Sequence, residues 1–186
     1  MDETAANSLI KMAGHTPGTC FGKKGYAYIQ AKVRSFNQSA VGANYLALVD
    51  FMDTKLACPS EVVSQWVPHR QPNLLFRIVV RELESWLLAD KENLADFLNV
   101  SVAKIPTDPE LLSDPKLTLV NLARSSRSKS IREALVPDPS TVTAKEGRLY
   151  TSEMVRFIKE RWDIINARSN SESLNKCCNR LKEMAK

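Results

Sequence analysis

Two short acidic clusters are the places where this 186-residue sequence could do chemistry. The first, Asp50-Phe51-Met52-Asp53, closes the apolar run Tyr45 to Val49 (YLALV), and the second, Arg81-Glu82-Leu83-Glu84, begins where Leu74 to Val80 (LLFRIVV) stops. Carboxylates at the C-terminal ends of strands face the crevice where α/β sheets bind ligands, and hard oxygen ligands suit a divalent cation. Parallel strands end at one edge, so Asp50, Asp53, Glu82 and Glu84 are expected to share a crevice with Arg81. Such a grouping could hold one or two Mg²⁺ or Mn²⁺ ions against a phosphodiester, with Arg81 steadying the phosphate. Each cluster also has a purely structural reading. Asp53 would cap the turn before Thr54 and Lys55, and Glu82 and Glu84 would be first-turn acids favoured by a helix dipole.

A basic segment offers a different chemistry. Arg124, Arg127, Lys129 and Arg132 lie within nine residues, interleaved with serines whose hydroxyls can bond phosphate oxygens. Contacts of that kind hold a nucleic-acid backbone without reading sequence. The same residues could instead neutralise a helix C-terminus and continue as a solvated linker. Lys23-Lys24, after Gly22, is a weaker basic pair. Residues 1–122 carry 12 basic and 13 acidic side chains and residues 123–186 carry 14 and 8, so the excess of cations falls in the C-terminal third. His15 and His69 stand in loops without matched partners and read as neither ligands nor general bases. Cys20, Cys58, Cys177 and Cys178 form no C-x-x-C pair and read as reduced thiols.

The elements that must position these residues follow from periodicity. YLALV and LLFRIVV read as buried strands, with a helix opening at Pro59 and closing before Pro68 between them. Upstream, helices are expected over Ala5 to Ala13 and Gly25 to Ala40, with a short strand at Gly18 to Phe21. Downstream, Leu83 to Leu98 predicts one long helix on whose apolar face Asp90 is the only polar intruder. The first ~100 residues therefore alternate strands and helices, which predicts a parallel or mostly parallel α/β sheet. Beyond Val100 the pattern is helical. Asp114-Pro115 caps one helix, Thr151 or Ser152 a second and Ser171 or Ser173 a third, while Pro137 to Arg148 reads as a surface loop. Trp66, Trp86 and Trp162 fall on apolar helix faces and read as core.

Composition sets the outer bounds. With 44% apolar residues and 25% charged, the chain is an ordinary folded protein, neither collagen-like nor disordered. No apolar run approaches the ~20 residues of a membrane span. Met1-Asp2-Glu3-Thr4 is acidic where a secretory signal is basic and then apolar, which predicts a cytoplasmic protein.

The segments GKKGYAYIQAKVRSFNQSA, LALVDFMDTKLACPS, FRIVVRELESWLLAD and DPKLTLVNLARSSRSKSIREALVP, in that order, resemble a group of small bacterial proteins with a TOPRIM-like (topoisomerase-primase) fold, over roughly residues 2 to 182. The resemblance implies a three-layer, mostly parallel α/β domain over residues 1–100 with a helical extension over 101–186. It implies Mg²⁺-dependent nucleic-acid processing by a nuclease-type effector, a partner ATPase encoded alongside, and a place in phage defence. TOPRIM domains pair a glutamate after the first strand with an Asp-x-Asp motif after a later one. Here the motif is Asp50-x-x-Asp53 with Met52 inside it, and Glu3 stands about where the glutamate belongs, with no strand before it. The alternative is a binding or adaptor module that keeps the fold, lacks the metal site and holds nucleic acid or a partner, its exposed strand edge open to pairing with another chain.

Overall fold

A computed structural model describes residues 1–21, 25–141 and 143–184. In chain order the elements are α1 (Asp2–Met12), α2 (Gly25–Ser39), β1 (Tyr45–Asp50), α3 (Pro59–Trp66), β2 (Leu74–Val79), α4 (Leu83–Leu88), α5 (Lys91–Leu98), α6 (Pro115–Arg124), α7 (Lys129–Leu135), α8 (Tyr150–Glu160), α9 (Ile164–Ala167) and α10 (Glu172–Glu183). The three-layer, mostly parallel sheet expected from the alternation does not form. The described residues are mostly helical, and their one sheet has two strands. The shortfall begins at Gly18–Phe21, which forms no strand. Pro17 and Gly18 give that segment little side chain to pack on a pleated surface, and glycine is the residue least suited to a strand interior.

The chain divides into two compact units, one made of Asp2–Leu83 with Ser173–Lys186 and the other of Glu84–Glu172 with Met1. The division falls at the start of α4 and of α10, where the sequence reading places it near residue 100.

In the first unit β1 and β2 are parallel, in register from Tyr45 opposite Leu74 to Asp50 opposite Val79. Side chains alternate across a strand, so Ala47, Val49, Leu74, Phe76 and Ile78 share one face. That face forms a core with Val33 of α2 and Val62 and Trp66 of α3, where Trp66 stacks on Phe76 at 5.8 Å between centroids. An aromatic pair of this kind adds about 0.5–1.5 kcal/mol beyond its buried area. The opposite face carries Leu75, Arg77 and Val79. Cys177 of α10 lies against Arg77, and His15, just past α1, hydrogen-bonds through Nε2 with the Leu181 carbonyl of α10 at 3.0 Å. Ala5 and Leu9 of α1 are fully buried.

The second unit is all helix and turn, with Trp86, Leu87, Leu88, Leu94, Leu98, Leu119, Leu135, Tyr150 and Phe157 as its largest fully buried side chains among the described residues. The single long helix expected over Leu83 to Leu98 is two, broken at Ala89-Asp90. Asp90 stands at the break, where its buried carboxylate accepts from Asn93 of α5 and also from Asp163 and Asn166, far along the chain. Asp114 caps α6 as expected, its Oδ1 accepting from Leu117 N–H at 2.8 Å. Neither Thr151 nor Ser152 caps α8, which starts one residue earlier at Tyr150, and the Ser152 hydroxyl donates to Leu149 C=O at 2.8 Å. A short helix missed in the sequence, α9, is capped by Asp163, which accepts from Ile165 and Asn166 N–H. Trp66, Trp86 and Trp162 are all buried, in line with the core reading.

Candidate functional site

The parallel register decides where the first acidic cluster stands. Asp50 is the last residue of β1, opposite the last residue of β2, so the segments leaving both strands start at one edge of the sheet. From Asp50 the chain turns through a 3₁₀ segment, Phe51–Asp53, and from Val79 it passes through a cis Val80–Arg81 peptide into α4. The two exits are tied together beyond the ladder, since Met52 N–H donates to Arg81 C=O at 3.1 Å. Thr54, nearly buried, closes the first turn by donating its hydroxyl to Phe51 C=O at 2.8 Å. Asp50, Arg81 and Glu82 are half-buried there and Asp53 is exposed. The arrangement brings the Asp50 turn and the Arg81-Glu82 segment side by side.

The other expected acids have different surroundings. Glu84 belongs to the helical unit, where it is 1% exposed. Tyr150 donates its hydroxyl to Glu84 Oε1 at 3.1 Å, and Lys116 Nζ lies 3.6 Å from the same oxygen and 3.3 Å from Glu146. A buried carboxylate with a hydroxyl and an ammonium on it is a packing element first. Glu3 is exposed in the first turn of α1, on a helix and not in a turn after a strand. Among the described residues, no three His, Cys, Asp or Glu side chains gather to hold a metal ion. Asp50 ends β1 and Glu82 follows the end of β2 by three residues, and both are half-buried.

The basic segment forms a corner between α6 and α7. Ser125 N–H and hydroxyl both donate to Leu122 C=O, at 3.0 and 2.9 Å, and Ser126 N–H donates to Ala123 C=O at 3.0 Å. The buried Ser126 hydroxyl accepts from Ser128 N–H at 3.0 Å, and Ser128 caps α7. Arg132 Nη1 donates to Ser126 C=O at 2.5 Å. Three serines and Arg132 thus serve the turn itself, and where the alternative reading expected a solvated linker the chain continues into α7. The remaining cations face outward. Arg124, Arg127 and Lys129 are exposed. Arg124 donates to Asn121 Oδ1 at 2.8 Å, Lys129 lies 3.6 Å from Glu133 in an open i,i+4 pair, and the Arg127 guanidinium has no partner among the described residues. Arg127 N–H donates to Asn99 C=O at 3.1 Å, which fixes the corner to the left-handed residue that ends α5. Lys23 and Lys24 lie outside the described residues.

Two polar groups are more central than the sequence reading made them. Asp90, flagged only as an intruder, accepts from Asp163 N–H at 2.7 Å, from Asn166 Nδ2 at 2.8 Å and from Asn93 Nδ2 at 3.0 Å. Burial nonetheless pushes its carboxyl above the ordinary aspartate range, with the donors opposing. Arg77 is the lone charge inside LLFRIVV, and that oddity was the signal available for it.

No protein-family model, curated protein or solved structure matches the chain.

Proposed function

We propose that the chain is a nucleic-acid-binding module that grips the phosphate backbone through the α6–α7 corner and does not read base sequence. The observation that carries this reading is the division of labour at the corner. Its serines and Arg132 are consumed in holding the turn, which leaves Arg124, Arg127 and Lys129 exposed on a backbone fixed by its own hydrogen bonds. Cations held at set spacing without a strong carboxylate partner suit phosphates, because contact releases condensed counterions. Replacing all three with Ala should lower the log-log salt slope for duplex DNA by about 2 to 3 units. Arg132→Ala should instead destabilise the helical unit. A slope unchanged by the triple variant would end this reading.

A second reading is favoured by the tie between Met52 and Arg81, which sets the Asp50 turn beside the Arg81-Glu82 segment. Here Asp50 and Glu82 would hold Mg²⁺, a Lewis acid that stabilises charge on a phosphodiester, and Arg81 would orient the phosphate. Asp50→Asn should abolish Mg²⁺-dependent cleavage by the intact protein and leave its circular dichroism unchanged. Cleavage that survives the substitution assigns the chemistry elsewhere and leaves the binding module.

A further inference from the structure

Four aromatic side chains of the sheet-containing unit form a connected stack that begins at its core and ends in solvent. Tyr45, the first residue of β1, packs against the core that holds Phe76, and Phe36 of α2 stacks on Tyr45 at 6.0 Å between centroids and 22° between planes. Phe36 in turn meets Phe21 at 5.7 Å and Tyr28 at 6.4 Å, both within the range of aromatic pairs. Tyr45, Phe36 and Tyr28 are half-buried, whereas Phe21 is 49% exposed. A ring with half its surface in water, backed by a second ring that is itself rooted in the core, is a flat apolar platform. The charge around it is one-sided. Residues 4–49 hold five Lys and Arg and no Asp or Glu, so α2 and the segment before it offer no carboxylate. Lys32 stands one turn along α2 from Tyr28 and one from Phe36, in the row that i,i+4 neighbours share, and is exposed with no partner among the described residues. The first acid of β1, Asp50, is at its far end, about 17 Å along the strand from Tyr45. The unit as a whole carries 13 Lys and Arg against 7 Asp and Glu, whereas the helical unit carries 13 against 14.

We infer that the Phe21 end of this stack is a binding site for single-stranded nucleic acid, with an unpaired base stacked on the rings and Lys32 against a neighbouring phosphate. The occupant has to present a flat apolar face and carry negative charge close beside it, and a nucleobase on its phosphodiester chain does both. A duplex keeps its bases stacked on one another and offers this site nothing but phosphate. The class of partner rests on the nucleic-acid reading of the α6–α7 corner, which this site extends from backbone to base with none of the corner's residues and on the other unit.

The test compares the affinity of the full chain for oligothymidylate and for an abasic strand of the same length and charge, each competing with one labelled strand. The parent should favour the strand that carries bases by about tenfold, and Phe21→Ala should erase that ratio while leaving abasic binding unchanged, since one stacked base is worth about that much. Phe21→Trp should keep the ratio, and Phe21→Leu, apolar but without a π-face, should lose it. Lys32→Ala should weaken both strands and lower the single-strand log-log salt slope by about 0.7. Equal binding of the two strands by the parent, a ratio that survives Phe21→Ala, or a Phe21→Leu variant that binds like the parent overturns the site, the last by reducing it to an apolar contact of the kind a protein partner makes. The variant with Arg124, Arg127 and Lys129 replaced loses phosphate contacts alone and should keep the ratio, while Phe21→Ala should leave the duplex salt slope unchanged. The ratio therefore reads Phe21 and the duplex slope reads the corner, so failure of one proposal is distinguishable from failure of the other.

Discussion

At the scale of single residues, environment separates groups that the sequence presents as equals. Cys58 and Cys177 are both unpaired thiols, but Cys58 is exposed before α3 and Cys177 is fully buried on α10. The Ser60 hydroxyl, 3.0 Å from Cys58 Sγ, and then the Glu61 backbone amide lower the Cys58 pKa, while burial raises that of Cys177. The thiolate is the reactive form, so iodoacetamide should label Cys58 in the native protein with a pH midpoint below that of an ordinary thiol, near ~8.5. Ser60→Ala should move the midpoint up, and Cys177 should label only on unfolding; native labelling of Cys177 would contradict its burial. Asp90 gives a second test. Its folded pKa is raised, so the folded state binds the proton more tightly than the unfolded chain. This group's contribution to stability is therefore fully present below the unfolded value, about 3.9, and is lost as pH rises through the higher folded value. Urea midpoints measured from pH 4 upward should show that slope in the parent and lack it in Asp90→Asn. The amide cannot accept on both sides as the carboxylate does, so the variant should also lose about 1–3 kcal/mol at neutral pH. The sequence showed Asp90 as out of place, but its partners Asn166 and Asp163 are more than 70 positions away, where periodicity carries no information.

At the scale of elements, what was legible is what local chemistry dictates. Runs of β-branched and aromatic residues became β1 and β2, Asp114-Pro115 started α6, and Pro59 opened α3. The misplaced items were those set by distant contacts. Leu83 to Leu98 keeps one apolar stripe through its whole length, so nothing in its period announces the break at Asp90. The loop between α7 and α8 hides a comparable constraint. Gly147 N–H donates to Leu135 C=O at 2.9 Å, and a Cβ at Gly147 would stand 2.3 Å from the Ala134 carbonyl oxygen. Backbone, not a flexible side chain, is in the way, so α7 or the loop would have to shift. Gly147→Ala should therefore cost about 1–3 kcal/mol in denaturant unfolding, the size of other overpacking changes. By contrast Gly42→Ala, with nothing within 4 Å of the added carbon, should leave the midpoint nearly unchanged. Equal effects at the two positions would refute the close approach.

At the scale of the whole molecule, the sequence reading assigned excess positive charge to the C-terminal third, whereas the folded units assign it to the one that contains the sheet. The difference arises because the chain leaves that unit at Leu83 and returns to it at Ser173, a discontinuity that no linear count of charges can register. The return brings α10, whose Leu174, Cys177, Cys178 and Leu181 are buried, and whose Cys177 lies against Arg77 of β2. The helical unit, Glu84–Glu172, is by comparison continuous in sequence and holds its own core of Trp86, Leu119, Leu135, Tyr150 and Phe157. Stability should divide accordingly. A chain ending at Glu172 loses the buried face of α10 and should melt in two steps, with the sheet unit loosened and the helical unit near its parent midpoint. Burying four such side chains contributes several kcal/mol, at roughly 1.5–3 kcal/mol for each large one, which is comparable with the whole stability of a small domain. Hydrogen exchange provides the readout. Amides of β1 and β2 should lose protection in the shortened chain while those of α5 and α8 keep it, and supplying the α10 sequence as a separate peptide should restore part of the loss. Uniform loss of protection across both units would show that the molecule folds as one cooperative body in spite of its two cores.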